Sequence, residues 1–355
     1  MLASCWREAC FLSVKIEDLM LHRRSVIQAG LAALGGVSVY APSVARAQSK
    51  PLIKVRYNEV VRSVLYAPAY VAITNGYFKD AGLDVEMATA NGGDKSMAAL
   101  ISGGADIALM GPDAAIYVLN SDSSVKARIF CGLTATDGFM LVGRTKVDKF
   151  DWSVLKGKDI LGFRPGSTPL LFFEEAMRMN GVNPDTDVKL VNNVGVPARV
   201  GSWLSGQNEY AIFTEPDPSQ LELDGKAFVL ASIGETVGLA DYTSFMATDK
   251  YIADNPAILQ TWTDAIYRAQ KWTAAASAAD IVQAVMPFFP GVAPQAMGVA
   301  VARYQRLKIW KSSPVIEPGP IQRFEDILVH GHVLDPDKRV KFEDLVRTEF
   351  ASKAK

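Results

Sequence analysis

Residues 102–117 read SGGADIALMGPDAAIY. The small and apolar run 105–110 has the composition of a short strand covered on both faces, the kind found in parallel sheets. Gly111 ends the run. Pro112 stands where a helix can begin, because proline at the first helical position lacks only an N–H that would have no partner there. A strand that turns at once into a helix leaves backbone N–H groups at the carboxyl edge of a sheet, where open α/β sheets bind ligands. An ordinary strand–helix connection would read the same way, so the stretch speaks first to fold class.

Outward from it the pattern repeats. Strands are expected over 52–57, 84–87, 128–133 and 139–143, helices over 68–75 and 94–101, and a tight connector over 77–83. The polar stretch 144–158 looks like a crossing point. After it come strands over 159–163, 188–191, 210–214 and 227–232, with helices over 169–180 and 197–204. Strand–helix alternation with short links predicts two doubly wound, mostly parallel sheets. From Asn255 the chain turns helical. Ile258, Leu259, Trp262, Ile266, Ala269 and Trp272 recur at helical spacing and mark one buried face, and further helices are expected over 281–288, 295–307, 322–329 and 342–350. The tryptophans read as core. No tandem repeat of fixed period appears.

The chain has 355 residues, enough for roughly two domains. Its 49% hydrophobic and 21% charged residues describe an ordinary globular protein, and a net charge of -1 gives no nucleic-acid footprint. The N-terminus reads as an export signal over 1–47. His22-Arg23-Arg24-Ser25 is a twin-arginine pattern, a moderately apolar stretch follows, and Ala45-Arg46-Ala47 supplies the small-x-small cleavage site, so the mature chain is expected to start at Gln48 in the periplasm. The apolar run is short and glycine-rich for a membrane span. Glu8, Glu17 and Asp18 fit badly ahead of such a signal, which makes Met20 the expected start. Losing 1–47 removes five basic and three acidic residues, leaving 32 against 35. It also removes Cys5 and Cys10. Cys131 then stands alone in an apolar strand, an inert core thiol with no disulfide partner in its own chain.

Three segments stand out: Tyr66-Ala67-Pro68-Ala69-Tyr70-Val71-Ala72, then 75–86 (NGYFKDAGLDVE), then Gly104-Ala105-Asp106-Ile107-Ala108. Together they resemble the substrate-binding proteins of ABC importers. Residues 155–160 (LKGKDI), Arg164-Pro165-Gly166-Ser167, and Asn255-Pro256 before a long helix fit the same pattern. The branch that they resemble handles nitrate, sulfonates, taurine and thiamine-pyrimidine precursors. The resemblance implies an α/β, two-lobed periplasmic-binding-protein fold (type II). Each lobe would be a mostly parallel sheet flanked by helices, with the ligand in a cleft between them. The first lobe would be 50–143 plus 246–355 and the second 146–242, with hinges near 143–145 and 242–246. It also implies a small-molecule solute, an inner-membrane permease with its ATPase as partners, a monomer, no nucleic acid and no cofactor.

On that frame four helix N-termini face the cleft, after Tyr66, Gly93, Gly111 and Thr168, each worth about 0.3–1 kcal/mol toward an anion. Ser167 and Thr168 add hydroxyls, which would equally serve as helix caps. The acids Asp113, Asp137 and Glu215 pull toward a cation or N–H donors, since carboxylates in a dry cleft are costly unless paired. Asp113 would also serve as a helix-dipole partner, and Glu215 as one half of a hinge-side ion pair. Tyr66 and Tyr242 can stack on a flat ring, or simply pack. The balance favours a nitrogen-bearing heteroaromatic, of the thiamine-pyrimidine type, over an alkanesulfonate, taurine or nitrate.

Catalysis has little support. His330 and His332 stand two apart with Asp335 nearby, which reads as a polar turn in preference to a zinc site. No nucleophile elbow, phosphate loop or paired-cysteine motif appears. A pyrimidine-forming enzyme of the same fold relies on a histidine and a cysteine-rich motif that this chain lacks. A sensor lobe of a transcription regulator fits poorly with an export signal.

Overall fold

The computed structural model describes residues 51–355. The expected export signal, the start at Met20, and Cys5 and Cys10 lie outside the described residues.

The chain first runs β1 (Ile53–Glu59), α1 (Ala67–Thr74), α2 (Tyr77–Asp80), β2 (Leu83–Thr89), α3 (Gly93–Ile101), β3 (Ile107–Met110), α4 (Pro112–Asn120) and β4 (Ala127–Thr134). It then forms β5 (Phe139–Gly143), β6 (Asp159–Leu161), α5 (Thr168–Met179), β7 (Lys189–Val191), α6 (Arg199–Leu204), β8 (Tyr210–Thr214), α7 (Asp217–Leu223), β9 (Phe228–Ser232) and α8 (Ile233–Val237). Last come β10 (Thr243–Thr248), α9 (Asp249–Asp254), α10 (Pro256–Ala275), α11 (Ala278–Val285), α12 (Pro294–Arg306), α13 (Pro318–His330), α14 (Phe342–Leu345) and α15 (Thr348–Ala351).

Two five-stranded sheets result, ordered β2-β1-β3-β10-β4 and β7-β6-β8-β5-β9. In each, four strands run one way. β10 opposes its neighbours in the first sheet and β5 opposes its neighbours in the second. The fold is α/β with mostly parallel sheets, as the alternation predicts. The opening stretch behaves as read, with Gly111 in extended conformation as the N-cap and Pro112 in the first turn of α4. Its strand is shorter than expected, because the Asp106 carboxylate is taken by the backbone N–H and guanidinium of Arg56.

Strand pairing corrects the lobe boundaries. β5 was expected to close the first lobe at 143, but it pairs with β8 and β9 in the second sheet. The first crossover is therefore 135–138, not 143–145. Residues 243–246, expected as hinge, are the start of β10, bonded between β3 and β4, so the return crossover lies in 233–242. Three further differences are local. The connector 77–83 contains α2. Helices α7, α8 and α9 were not expected. The single helix expected over 342–350 is split into α14 and α15, because Val346 bridges to Ile129 and Arg347 N–H donates to Ile129 O.

The helical C-terminal segment packs back on the first sheet through α10. Leu259, Trp262, Ile266 and Ala269 are buried there. Trp262 meets Tyr57, Phe78 and Phe245 with ring centroids at 5.3, 4.4 and 5.4 Å. Trp262→Ala should cost about 3–5 kcal/mol in urea unfolding. Trp272→Ala, half-buried on the same helix, should cost clearly less.

Candidate functional site

Residues just past the carboxyl ends of β1 and β3 meet residues just past those of β6 and β8, which makes one seam between the two sheets. The Ser63 and Thr214 hydroxyls hydrogen-bond at 2.8 Å, and the Ser63 hydroxyl donates to Glu215 O at 3.0 Å. Tyr304 on α12 is a hub. Its hydroxyl donates to Gly138 O at 2.7 Å, accepts from Glu215 N–H at 3.1 Å, and meets the Thr214 hydroxyl at 3.1 Å. Beside it the Arg303 guanidinium bridges Glu215 and Glu222, and donates to the Ser219 hydroxyl. Burial pulls the Arg303 pKa down, but the two carboxylates outweigh it and hold it above its ordinary value. Glu215, expected to face the solute, is thus consumed by an ion pair between the halves.

Asp113 and Asp137 have no such partner. Asp113 Oδ1 and Asp137 Oδ2 are enclosed and meet no donor in hydrogen-bonding geometry, although the Thr168 and Tyr242 hydroxyls stand near the two carboxyls. Burial pushes the Asp113 carboxyl up to about 6, against N–H groups of its own helix turn and the Thr168 hydroxyl across the seam. Burial also pushes Asp137 up to about 7, against the Phe139 N–H and the Tyr242 hydroxyl. Tyr242 ties the set together. Burial raises its pKa, and Asp137, Tyr66 and Asp113 raise it further. Its ring meets Phe172 edge-on at 4.9 Å. Four of the expected site residues, Tyr66, Asp113, Asp137 and Tyr242, therefore stand together.

The four helix N-termini divide in two. In α3, which starts at Gly93, Asp94 occupies the first turn and pairs with Arg164 across the seam at 3.1 Å. In α4, Asp113 covers its own N-terminus, and a Cβ on Gly111 would collide with it. By contrast α1 and α5 have no acid in the first turn and no side-chain cap bond. The Ser167 hydroxyl turns away from α5 and donates to Arg164 O at 2.6 Å.

Sequence reasoning missed Glu59, Arg303 and Tyr304. Glu59 is fully buried at the end of β1 and accepts from the hydroxyls of Tyr70 and Thr89, each at 2.7 Å, with Arg62 at 2.8 Å. An acid closing a buried strand at the carboxyl edge was the available signal, and the expected strand stopped two residues short of it. Arg303 and Tyr304 lie on an ordinary amphipathic helix, with no local sign of their role. The remaining candidates lie elsewhere. Cys131 is buried in β4, where desolvation raises its pKa. His330 contacts Glu175 at 3.1 Å where α13 meets α5, beside a surface hollow of about 830 Å³ that His332 and Asp335 also line. Among the described residues no group of three or more His, Cys, Asp or Glu could hold a metal ion. No helix among them is long and apolar enough to cross a membrane.

The pattern of the NMT1-like family matches residues 58–286, which run from the end of β1 through β10 and include most of the seam. The chain belongs to the NMT1-like family. It is 35% identical over 327 residues to YtlA of Bacillus subtilis (strain 168), whose name assigns it a provisional binding role. The match covers 92% of this chain and 97% of that one. The periplasmic nitrate-binding protein NrtA of Synechocystis superposes with a TM-score of 0.70 at 15% identity, covering 84% of this chain and 87% of its own. The alkanesulfonate-binding protein SsuA of Xanthomonas axonopodis pv. citri, bound to MOPS, gives 0.67 at 16% identity, with 84% and 99% covered. The fold is that of the periplasmic binding proteins.

The raised carboxyls set a pH dependence. Unfolded, Asp113 and Asp137 lose their protons near pH 4, whereas the folded protein holds them to about 6 and 7. The folded state binds more protons in that window, so unfolding free energy falls as pH rises through it. Thermal unfolding of unliganded protein should show a midpoint that drops from pH 4 to pH 8, with a shallower slope in the Asp113→Asn, Asp137→Asn double variant. Separately, Arg303→Ala leaves Glu215 buried without its cation, and should cost about 3–5 kcal/mol in denaturant unfolding. Adding Glu215→Gln should recover part of that loss.

Proposed function

We propose that this family member is the periplasmic solute-binding component of an ABC importer and not an enzyme. Its two lobes close on a small nitrogen-bearing heteroaromatic of the thiamine-pyrimidine type, and it then docks, as a monomer, on an inner-membrane permease with its ATPase. The observation that carries the reading is the pair of enclosed, unpartnered carboxylate oxygens, Asp113 Oδ1 and Asp137 Oδ2. A buried acceptor without a donor costs about 1–3 kcal/mol. A solute that brings N–H donors or a cation removes that cost, while an anion adds a like charge. The Tyr66 and Tyr242 rings beside them suit a flat partner, worth about 0.5–1.5 kcal/mol beyond area. Solute would enter by lobe opening about the crossovers 135–138 and 233–242.

A second reading, an alkanesulfonate, taurine or nitrate solute, has one observation in its favour. The N-termini of α1 and α5 carry no side-chain cap bond and can turn N–H groups to an anion. Calorimetry on the chain from Gln48, with 4-amino-5-hydroxymethyl-2-methylpyrimidine, taurine and nitrate in turn, separates the two. Saturable binding of the pyrimidine alone is expected. Binding of taurine or nitrate without the pyrimidine would replace the first reading by the second.

A further inference from the structure

The crossover 135–138 is densely held. Ala135 O accepts the Ala240 N–H at 2.9 Å, and Ala135 N–H donates to Ile309 O at 2.8 Å. The Thr136 hydroxyl reaches Gly238 O at 2.5 Å and Gly234 O at 3.2 Å. Gly138 O takes the Tyr304 hydroxyl proton. The Asp137 carbonyl packs on Gly234, where a Cβ would collide with it. Asp137 Oδ1 accepts from the N–H of Phe139, the first residue of β5. Asp137 Oδ2 has no partner. Asp241 lies in the return crossover. Asp241 also has one free oxygen, but its other oxygen meets the Lys311 ammonium, whereas no cation acts on Asp137.

One carboxylate therefore holds the start of the second sheet with one oxygen and offers the other to the seam. Asp113 differs in that it sits in the first turn of α4, outside both crossovers, and meets the second lobe only near the Thr168 hydroxyl. A donor bound to Asp137 fixes the plane of a group that anchors β5.

Resting on the reading of the seam as a solute site, we propose that a nitrogen donor of the solute binds Asp137 Oδ2 and so locks the crossover in the closed arrangement. Asp137 is then the positioning residue that converts occupancy into closure, and Asp113 contributes affinity alone.

The test uses 4-amino-5-hydroxymethyl-2-methylpyrimidine as probe, with calorimetry for affinity and small-angle scattering at saturation for closure. Asp137→Asn keeps an acceptor for the Phe139 N–H. It should bind about 10- to 100-fold more weakly, as for a lost charged hydrogen bond, and at saturation it should keep the radius of gyration of the free protein. Asp113→Asn should also bind more weakly, yet contract at saturation as the wild type does. Contraction of Asp137→Asn at saturation overturns the inference and leaves the solute reading standing. Wild-type protein that binds taurine or nitrate in place of the pyrimidine overturns both. A probe-free arm uses hydrogen exchange of the unliganded protein. Asp137→Ala should speed exchange at Phe139 and Ala240, and Asp113→Ala should not. Equal behaviour of the two variants overturns the inference whatever the solute.

Discussion

The two crossovers lie side by side and are bonded to each other. Ala240 N–H donates to Ala135 O, and the Thr136 hydroxyl reaches the carbonyls of Gly234 and Gly238. Each sheet takes in one antiparallel strand at a crossover, β5 after the first and β10 after the second. That pairing fixes where the halves can touch. It brings the carboxyl ends of β1 and β3 against those of β6 and β8, which is the edge where parallel sheets leave N–H groups and side chains free for ligands.

Charge at the seam is sorted by whether the fold supplies a partner. Glu59 has Arg62 and two hydroxyls, Glu215 has Arg303, and Asp241 has Lys311. Deeper in the second lobe, Arg199 is buried on the carbonyls of Leu161, Gly162 and Ile212, and burial lowers its pKa to about 9. These groups are structural, since a buried charge is tolerated when its partner is built in. Asp113 and Asp137 break the rule at the seam between the two sheets. The proposal of a nitrogen-bearing solute rests on that contrast more than on resemblance to any neighbour, because the neighbours named for nitrate and alkanesulfonate share the fold at 15–16% identity.

Local chemistry was legible in the sequence. Gly111-Pro112 marked the start of α4, the helical face through Leu259, Trp262 and Ile266 marked α10, and strand–helix alternation gave mostly parallel sheets. What needed the structure was long-range. Nothing within 139–143 says whether that strand pairs with β4 or with β8, so the first lobe was drawn nine residues too long. Glu215 and Arg303 are 88 positions apart, and neither predicts the other. Asp113 was legible as a candidate because it stands in the first turn of a helix that follows a strand at once. Asp137 was legible as the end of a strand, but its place in the crossover was not, since the crossover itself was misplaced.

The measurement that bears most directly on the account is mass spectrometry of the small molecule released when protein purified from the periplasm is denatured. The account predicts a nitrogen heteroaromatic carrying N–H donors in stoichiometric amount. Release of a sulfonate or nitrate in that amount would contradict it.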